Sequence, residues 1–397
     1  MSTILYVWEL GADYGHVSSF MPVAQQLRAQ GHRVVLAVKD LTRIQGLAGA
    51  RDFDIVQAPV WLSEVKGLAT PMVCYTDILL RFGYLDSTGL LGMVKAWRTL
   101  FALVQPQLLI ADHAPTALLA ARGLSFQRCI YGNGFQSPPP TTPLPSMRPW
   151  LKVPAARFEN SERAVLRTLN QVLEQLGTAS LDNVAQLFDV AENFLMTPEE
   201  LDHYGGRGAA HYYGAALSLR GGATPAWPTA PGARLFAYVK PAHKHFQPLL
   251  QQLHNAPYAV LMHVPGLPDR RRVALESANL RISSEPVDMR YACREAAAVI
   301  CHAGFGTVLD ALLAGLPTLL LPMHLEQSLT ARNVVRLGLG LVSENAAQQP
   351  DFRAGLHRLL TDPGFAERAR AFAKKYSGTD QNMNITAVVR RCAQLLA

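Results

Sequence analysis

Residues 4–38, ILYVWELGADYGHVSSFMPVAQQLRAQGHRVVLAV, decide the fold. ILYVWEL (4–10) is a nearly continuous apolar run, the kind that a parallel sheet buries on both faces. GADYGH (11–16) is a short loop. From about Ser18 to Gln30 the apolar residues Phe20, Val23, Ala24 and Leu27 fall on one helical face, and Gly31 closes the helix. RVVLAV (33–38) is a second strand, so the stretch is a βαβ unit of about thirty residues.

The pattern recurs outward from there. LLIAD (108–112) precedes a helix near 115–122, and CIYG (129–132) is a further strand. GFQSPPPTTPLPSMRPW (134–150) holds six prolines, which block helix and mark an irregular loop. Loops of this length inside a domain are often functional. A long helix follows, roughly 157–176. HYYGAALSLRGGATPAWPTAPGA (211–233) has no periodicity and reads as the linker. Beyond it come RLFAYV (234–239), a helix near 246–254, AVLMHV (259–264), LRIS (280–283), AAVIC (297–301), a helix and PTLLLP (317–322). Two halves that alternate strand and helix predict an α/β protein of two doubly wound parallel-sheet domains. The expected division is 1–215, a linker at 216–233, and 234–397, with the last helix free to pack back on the first domain.

Composition agrees. A chain of 397 residues with 49% hydrophobic and 17% charged residues is globular and large enough for two cores, which excludes disorder and coiled coil. No run of 18 uncharged apolar residues spans a membrane. The N-terminus lacks a basic lead and meets Glu9 early, so it does not read as a secretory leader. Five scattered cysteines (74, 129, 293, 301, 392) form no CxxC pair, which points to reduced thiols and a cytoplasmic protein. Charge is uneven: residues 1–215 carry 17 Lys+Arg against 18 Asp+Glu, and residues 216–397 carry 20 against 12. The basic second half suits an anionic partner, either a phosphorylated ligand or, in peripheral contact, an acidic lipid surface. The basic residues are dispersed without interleaved aromatics, so nucleic acid is not expected.

The strongest chemical signal lies in AAVICHAGFGTVLDALLAGLPTLLLPMHLEQSLTARNVVRLGLG (297–340). A buried strand ends at Cys301, and His302, Ala303, Gly304, Phe305, Gly306 and Thr307 lead straight into a helix. Glycines let backbone N–H groups approach a ligand, and a helix N-terminus adds partial positive charge, a combination that favours phosphate. Thr307 adds a hydroxyl and His302 a further donor.

A second pair sits in the first half. His16 lies just past the first strand and Asp112 ends a later strand of the same sheet, so both reach the carboxyl ends of the strands. A carboxylate on one imidazole nitrogen fixes the tautomer and leaves the other nitrogen as a base.

These segments resemble the UDP-glycosyltransferase superfamily, the inverting GT-B enzymes of glycosyltransferase family 1, in bacterial form. The resemblance covers most of the chain, from Gly15-His16-Val17 and GHRV (31–34) to the 297–340 signature, and is weakest over 60–105 and 140–190. It implies two facing Rossmann-like domains with a cleft between them. It further implies that the 302–307 loop binds the donor diphosphate, that Glu326 and Gln327 contact sugar hydroxyls, and that the backbone of Val287 meets the nucleobase. Two departures stand out. Pro286-Val287-Asp288-Met289 replaces an aromatic-Val-Pro-Gln stretch, and Met289 lacks the amide of Gln. After the first strand of the second half the chain runs Val239-Lys240-Pro241-Ala242-His243 where a Ser/Thr-Gly turn is usual, so Lys240 or His243 is expected to supply positive charge.

The expected activity is therefore that of a metal-independent hexosyltransferase with His16 as base and Asp112 orienting it. It would move a sugar from a nucleotide-diphosphate sugar, UDP first and dTDP second, to a hydroxyl of a small-molecule or lipid acceptor. No cofactor beyond this co-substrate is expected. A nucleotide-sugar epimerase or hydrolase, or a non-catalytic nucleotide-sugar binder, would share the architecture; the intact His16 and Asp112 argue against both. Asp52-Phe53-Asp54 reads as a solvated turn rather than a metal motif, His243-Lys244-His245 is half a metal site at most, and Arg270-Arg271-Arg272 is a solvated loop. Neither HExxH nor GxSxG occurs. Phe82, Tyr84, Trp97 and Phe135 are candidates for lining an acceptor pocket or for ordinary core.

Overall fold

A computed structural model describes residues 1–11, 15–44, 46–47, 49–214, 221–343, 350–378 and 381–397. By its internal contacts the chain divides into two compact units, Met1–Ser218 with Gln381–Ala397, and Leu219–Asp380.

The first unit is built on β1 (Thr3–Trp8), β2 (Arg33–Val38), β3 (Asp54–Gln57), β4 (Leu108–Asp112), β5 (Gln127–Gly132) and β6 (Glu192–Leu195). The sheet order is β3-β2-β1-β4-β5-β6, and every pairing is parallel. Ile4 to Trp8 and Leu108 to Asp112 are buried throughout, as the apolar runs require for strands covered on both faces. Residues 12–14 of the GADYGH loop lie outside the described residues. The helix that follows spans Gly15–Ala29, three residues earlier than the apolar spacing predicts. Ser19 Oγ donates to His16 O at 2.8 Å and helps wind that first turn, which places His16 on the helix rather than in the loop. The helix closes as expected: Gly31 takes φ +86, and the N–H groups of Gly31 and His32 reach back to Arg28 O and Leu27 O at 2.9 and 3.2 Å.

The second unit repeats the plan with β7 (Ala233–Tyr238), β8 (Tyr258–His263), β9 (Leu280–Ser283), β10 (Ala298–Cys301), β11 (Thr318–Leu320) and β12 (Gly340–Val342), in the order β12-β11-β10-β7-β8-β9. Its core packs Leu235, Ala237, Val260, Met262, Ile300 and Leu319 against Phe246, Leu250 and Phe352. Apart from shifts of one or two residues, the strands read from the sequence are present. Among the additions are the strands β6 and β12 and the helices Tyr75–Leu79 and Ser87–Val104.

The linker boundary differs from expectation. Of the supposed linker 216–233, residues 216–220 lie outside the described residues, and the rest groups with the second unit. There Ala223 forms an isolated β-bridge with Val287, its N–H donating to Pro286 O at 2.8 Å and its carbonyl accepting from Asp288 N at 3.0 Å. Gly222, at φ +140, permits the approach, because a Cβ there would stand 2.6 Å from Asp288 N. At the other end, the helix Gln381–Leu396 belongs to the first unit, against the helix Gly15–Ala29 and β4. Arg391 Nε donates to Glu192 Oε2 at 2.7 Å and ties it to β6. Among the described residues no helix is long and apolar enough to cross a membrane, and all five cysteines are free and buried.

Each sheet reverses its strand order once, between β1 and β4 and between β7 and β10. Ligands of doubly wound sheets bind beyond the carboxyl ends of the strands at such a switch point. His16 with Asp112, and the 302–307 loop after β10, lie at these two places.

Candidate functional sites at the two switch points

In the first unit Trp8 and Asp112 are register partners at the ends of β1 and β4. His16 Nδ1 lies 2.8 Å from Asp112 Oδ1. The carboxylate is only an acceptor, so Nδ1 carries the proton and Nε2 keeps its lone pair. Asp112 is buried and fully engaged: Tyr6 OH donates to Oδ2 at 2.9 Å, and Gln136 Nε2 donates to Oδ1 at 3.3 Å. It caps no helix, since the helix Pro115–Ala120 has Ala114 at its N-cap. Trp8 stacks on the imidazole with ring centroids 5.3 Å apart, and His113 lies tilted at 6.1 Å. Gly11, at φ +85, faces Nε2; a Cβ there would stand 2.5 Å away. Lys39 Nζ holds that glycine by donating to its carbonyl at 2.7 Å.

Glu9, read in the sequence only as a charge near the N-terminus, proves to be a buried acid. Its carboxylate accepts from the N–H groups of Thr116 and Ala117 at 3.1–3.2 Å and so caps the helix Pro115–Ala120. Burial pushes its pKa up to about 7, against the opposing pull of these hydrogen bonds and of Lys39. An acid two residues before a glycine turn was the available signal.

In the second unit His302 bridges the switch point. Lys240 N–H donates to its Nε2 at 2.7 Å, so Nε2 is the acceptor and Nδ1 carries the proton that goes to Leu321 O at 2.9 Å. The imidazole thereby clamps the ends of β7, β10 and β11. This revises the expectation that it is a spare donor: the loop offers backbone amides, and the ring holds the loop in place. Ala303 takes φ +60, and the helix Phe305–Leu313 starts at Gly304 with neither a capping side chain nor an acidic residue in its first turn. Its positive end is not neutralised from within. Gly304, Phe305, Gly306 and Thr307 are half-buried.

Lys240 reaches this cluster through its backbone N–H, and its side chain is half-buried. His243 lies 5.1 Å from His302, ring to ring, and its pKa falls to about 4 through burial and through the neighbouring His302 and His245. It is uncharged near neutrality, so of the two candidates for positive charge Lys240 remains. Glu326 opens the helix Leu325–Arg336, and Gln327 is buried with Oε1 accepting from Met323 N–H at 2.8 Å. Its carbonyl therefore closes a turn, which leaves the NH₂ as the part that can meet a hydroxyl. The bridge to Ala223 engages the groups flanking Val287, neither its own N–H nor its C=O.

Asp310 escaped the sequence reading. It lies farther along the helix Phe305–Leu313, and burial together with Asp288 raises its pKa to about 7. An acid inside the apolar run TVLDALLAG was the signal.

Several lesser readings resolve. Asp52 pairs with Arg28 and Asp54 with Arg33, all exposed, as a solvated turn requires. Arg270–Arg272 lies on the helix Asp269–Leu275, which buries no residue. Tyr84, Trp97 and Phe135 are buried core residues and Phe82 is half-buried. Among the described residues no group of three His, Cys, Asp or Glu side chains could hold a metal ion.

Residues 249–395 match the family described as Erythromycin biosynthesis protein CIII-like, C-terminal domain. The zeaxanthin glucosyltransferase of Pseudescherichia vulneris is 30% identical over 165 residues, 40% of this chain and 39% of that relative. The match therefore spans about two fifths of the relative's length. The solved glycotransferase of kitacinnamycin superposes with a TM-score of 0.70 at 18% identity, covering 100% of this chain and 99% of that one. Glycosyltransferase VinC, solved in complex with dTDP, gives 0.68 at 17% identity, with coverage of 98% and 100%. The paired doubly wound units are thus the GT-B fold. The C-terminal part of the chain is similar to that family, and two fifths of the chain is similar to a glucosyltransferase.

Proposed function

We propose that this protein is an inverting, metal-independent glycosyltransferase that moves a sugar from a pyrimidine nucleoside-diphosphate sugar to a hydroxyl of a small-molecule or lipid acceptor. The observation that carries the reading is the 2.8 Å pair of His16 Nδ1 with buried Asp112. It leaves Nε2, beside Gly11, as the basic nitrogen, to which an acceptor hydroxyl would pass its proton as it attacks. Attack on the face opposite the leaving diphosphate inverts the anomeric centre. In the second unit the N–H groups at Gly304–Thr307 and the helix behind them would take the diphosphate and stabilise the charge that builds on it, without a metal. Lys240 adds positive charge, Glu326 and the Gln327 NH₂ would meet sugar hydroxyls, and the Val287 backbone would meet the base. UDP leads on the superfamily resemblance, and dTDP gains support because VinC was solved with it.

The test is calorimetric titration with UDP, dTDP, GDP and NAD, with and without chelator, followed by donor-dependent release of nucleoside diphosphate over an acceptor panel. Binding of one pyrimidine diphosphate unaffected by chelator is expected. His16→Ala should then lower turnover by roughly 10²–10⁴-fold with nucleotide affinity unchanged. Chelator-sensitive binding, preference for NAD, or donor consumption that needs no acceptor overturns the reading.

A further inference from the structure

The Asp112 carboxylate has more partners than a histidine pair requires, and the chain spends unusual structure on one of them. Gln136 sits in the proline-rich loop, yet it is buried, and its amide nitrogen donates both hydrogens inward: to Tyr131 O at 2.7 Å and to Asp112 Oδ1 at 3.3 Å. Both partners are acceptors, which fixes the orientation of the amide. The amide lies directly over Gly132, at φ +147, where a Cβ would stand 1.5 Å from Nε2, so only glycine leaves room for it.

The backbone around Gln136 is pinned as well. Arg207 and Asp202 form an ion pair at 2.6 Å whose side chains are 6% and 0% exposed. The guanidinium donates to Gly134 O at 2.8 Å and to Ser137 O, while Tyr204 OH donates to Phe135 O at 3.1 Å. Three of the four carbonyls from 134 to 137 are therefore held by side chains from a segment some seventy residues away, and Tyr212 OH supports Asp202 at 3.1 Å. A buried ion pair is costly to desolvate and persists only with such satisfaction. Here the pair fixes the loop that carries one amide to one carboxylate.

We propose that Gln136, mounted by the Arg207–Asp202 pair, is a positioning residue that stops the Asp112 carboxylate from turning and so keeps His16 in the Nδ1–H form, with Nε2 as base. Tyr6 holds Oδ2 and Gln136 shares Oδ1 with His16, which leaves the carboxylate one orientation. The proposal rests on the reading of His16 as the base, but its first readout does not need turnover.

The experiment records long-range ¹H–¹⁵N imidazole spectra of the full chain with labelled histidine, His16 being assigned by the signal missing from His16→Gln. The native protein should show His16 as the Nδ1–H tautomer. Gln136→Met, which keeps length and removes both donors, should raise the other tautomer about tenfold, the scale of one hydrogen bond to a charged group. Gln136→Asn, one methylene short, should do the same and serves if the first variant folds poorly. The His302 signals, set by Lys240 and Leu321, should not move. With donor and acceptor saturating, Gln136→Met should lower kcat about tenfold in the native background and not at all in Asp112→Asn, because it acts through that carboxylate. A single unshifted His16 tautomer in both variants, or additive losses with Asp112→Asn, overturns the proposal. Undiminished transfer by His16→Ala would instead overturn the base assignment, whichever tautomer is seen.

Discussion

Replacing Gly11 by alanine would put a methyl group against His16 Nε2, the nitrogen assigned to the base in the proposed mechanism. The added Cβ would stand 2.5 Å from His16 Nε2 and 3.3 Å from Cε1. An unstrained contact needs about 3.5 Å, so the ring must give way by about 1 Å. It cannot retreat toward Asp112, already 2.8 Å from Nδ1, and Trp8 stacks against it. The ring must swing out, which strains the pair and fills the space a hydroxyl would use. Misplacement of about 1 Å at a reacting group costs on the order of 100-fold in rate. Gly11 is also left-handed at φ +85, so alanine there carries roughly 1–2 kcal/mol of backbone strain irrespective of chemistry. Gly31→Ala separates the two effects: Gly31 has φ +86 and nothing within 4 Å of its absent Cβ. In urea melts Gly31→Ala should lose the backbone strain alone, and Gly11→Ala at least as much. Only Gly11→Ala should lose about 100-fold in kcat at saturating acceptor, read as nucleoside diphosphate release. Turnover by Gly11→Ala within about threefold of Gly31→Ala would refute the placement of Nε2 as the reacting nitrogen.

Three further outcomes follow. Glu9 holds its proton more tightly when folded, with its pKa raised from 4.5 to about 7. Its contribution is therefore complete at acid pH and is lost as pH rises through that window, by about 3 kcal/mol, whereas Glu9→Gln should show no such loss in melts across the range; parallel curves would contradict it. His302→Leu leaves Lys240 N–H and Leu321 O without their partner, so stability should fall by about 2–5 kcal/mol and nucleotide affinity with it; a loss of affinity at unchanged stability would mean the ring touches the nucleotide directly. Trp97, fully buried in the helix Ser87–Val104, should cost about 3–5 kcal/mol as alanine while nucleotide binding in the second unit stays as it was.

Central strands were readable because they must be covered on both faces: ILYVWEL, RVVLAV and LLIAD have no other soluble use than a buried parallel sheet. That same reading put His16 and Asp112 at neighbouring strand ends, where they pair at 2.8 Å. The edge strands ENFL and GLV went unread because they are short and half-buried, with no apolar run to mark them. The returning helix Gln381–Leu396 is amphipathic, but an apolar stripe does not say which surface it will cover.

The two doubly wound units and the residues at their switch points were legible in the chain, because local apolar periodicity and strand-end chemistry are written in consecutive residues. What those residues touch was set by folding. Gln136 lies 24 positions from Asp112, and Arg207 lies 73 from Gly134. His302 is occupied on one side by a backbone N–H 62 positions away and on the other by a carbonyl 19 positions away. Hydrogen-bond partners at such separations have no local signature, since each is set by which strands lie side by side and where their loops emerge.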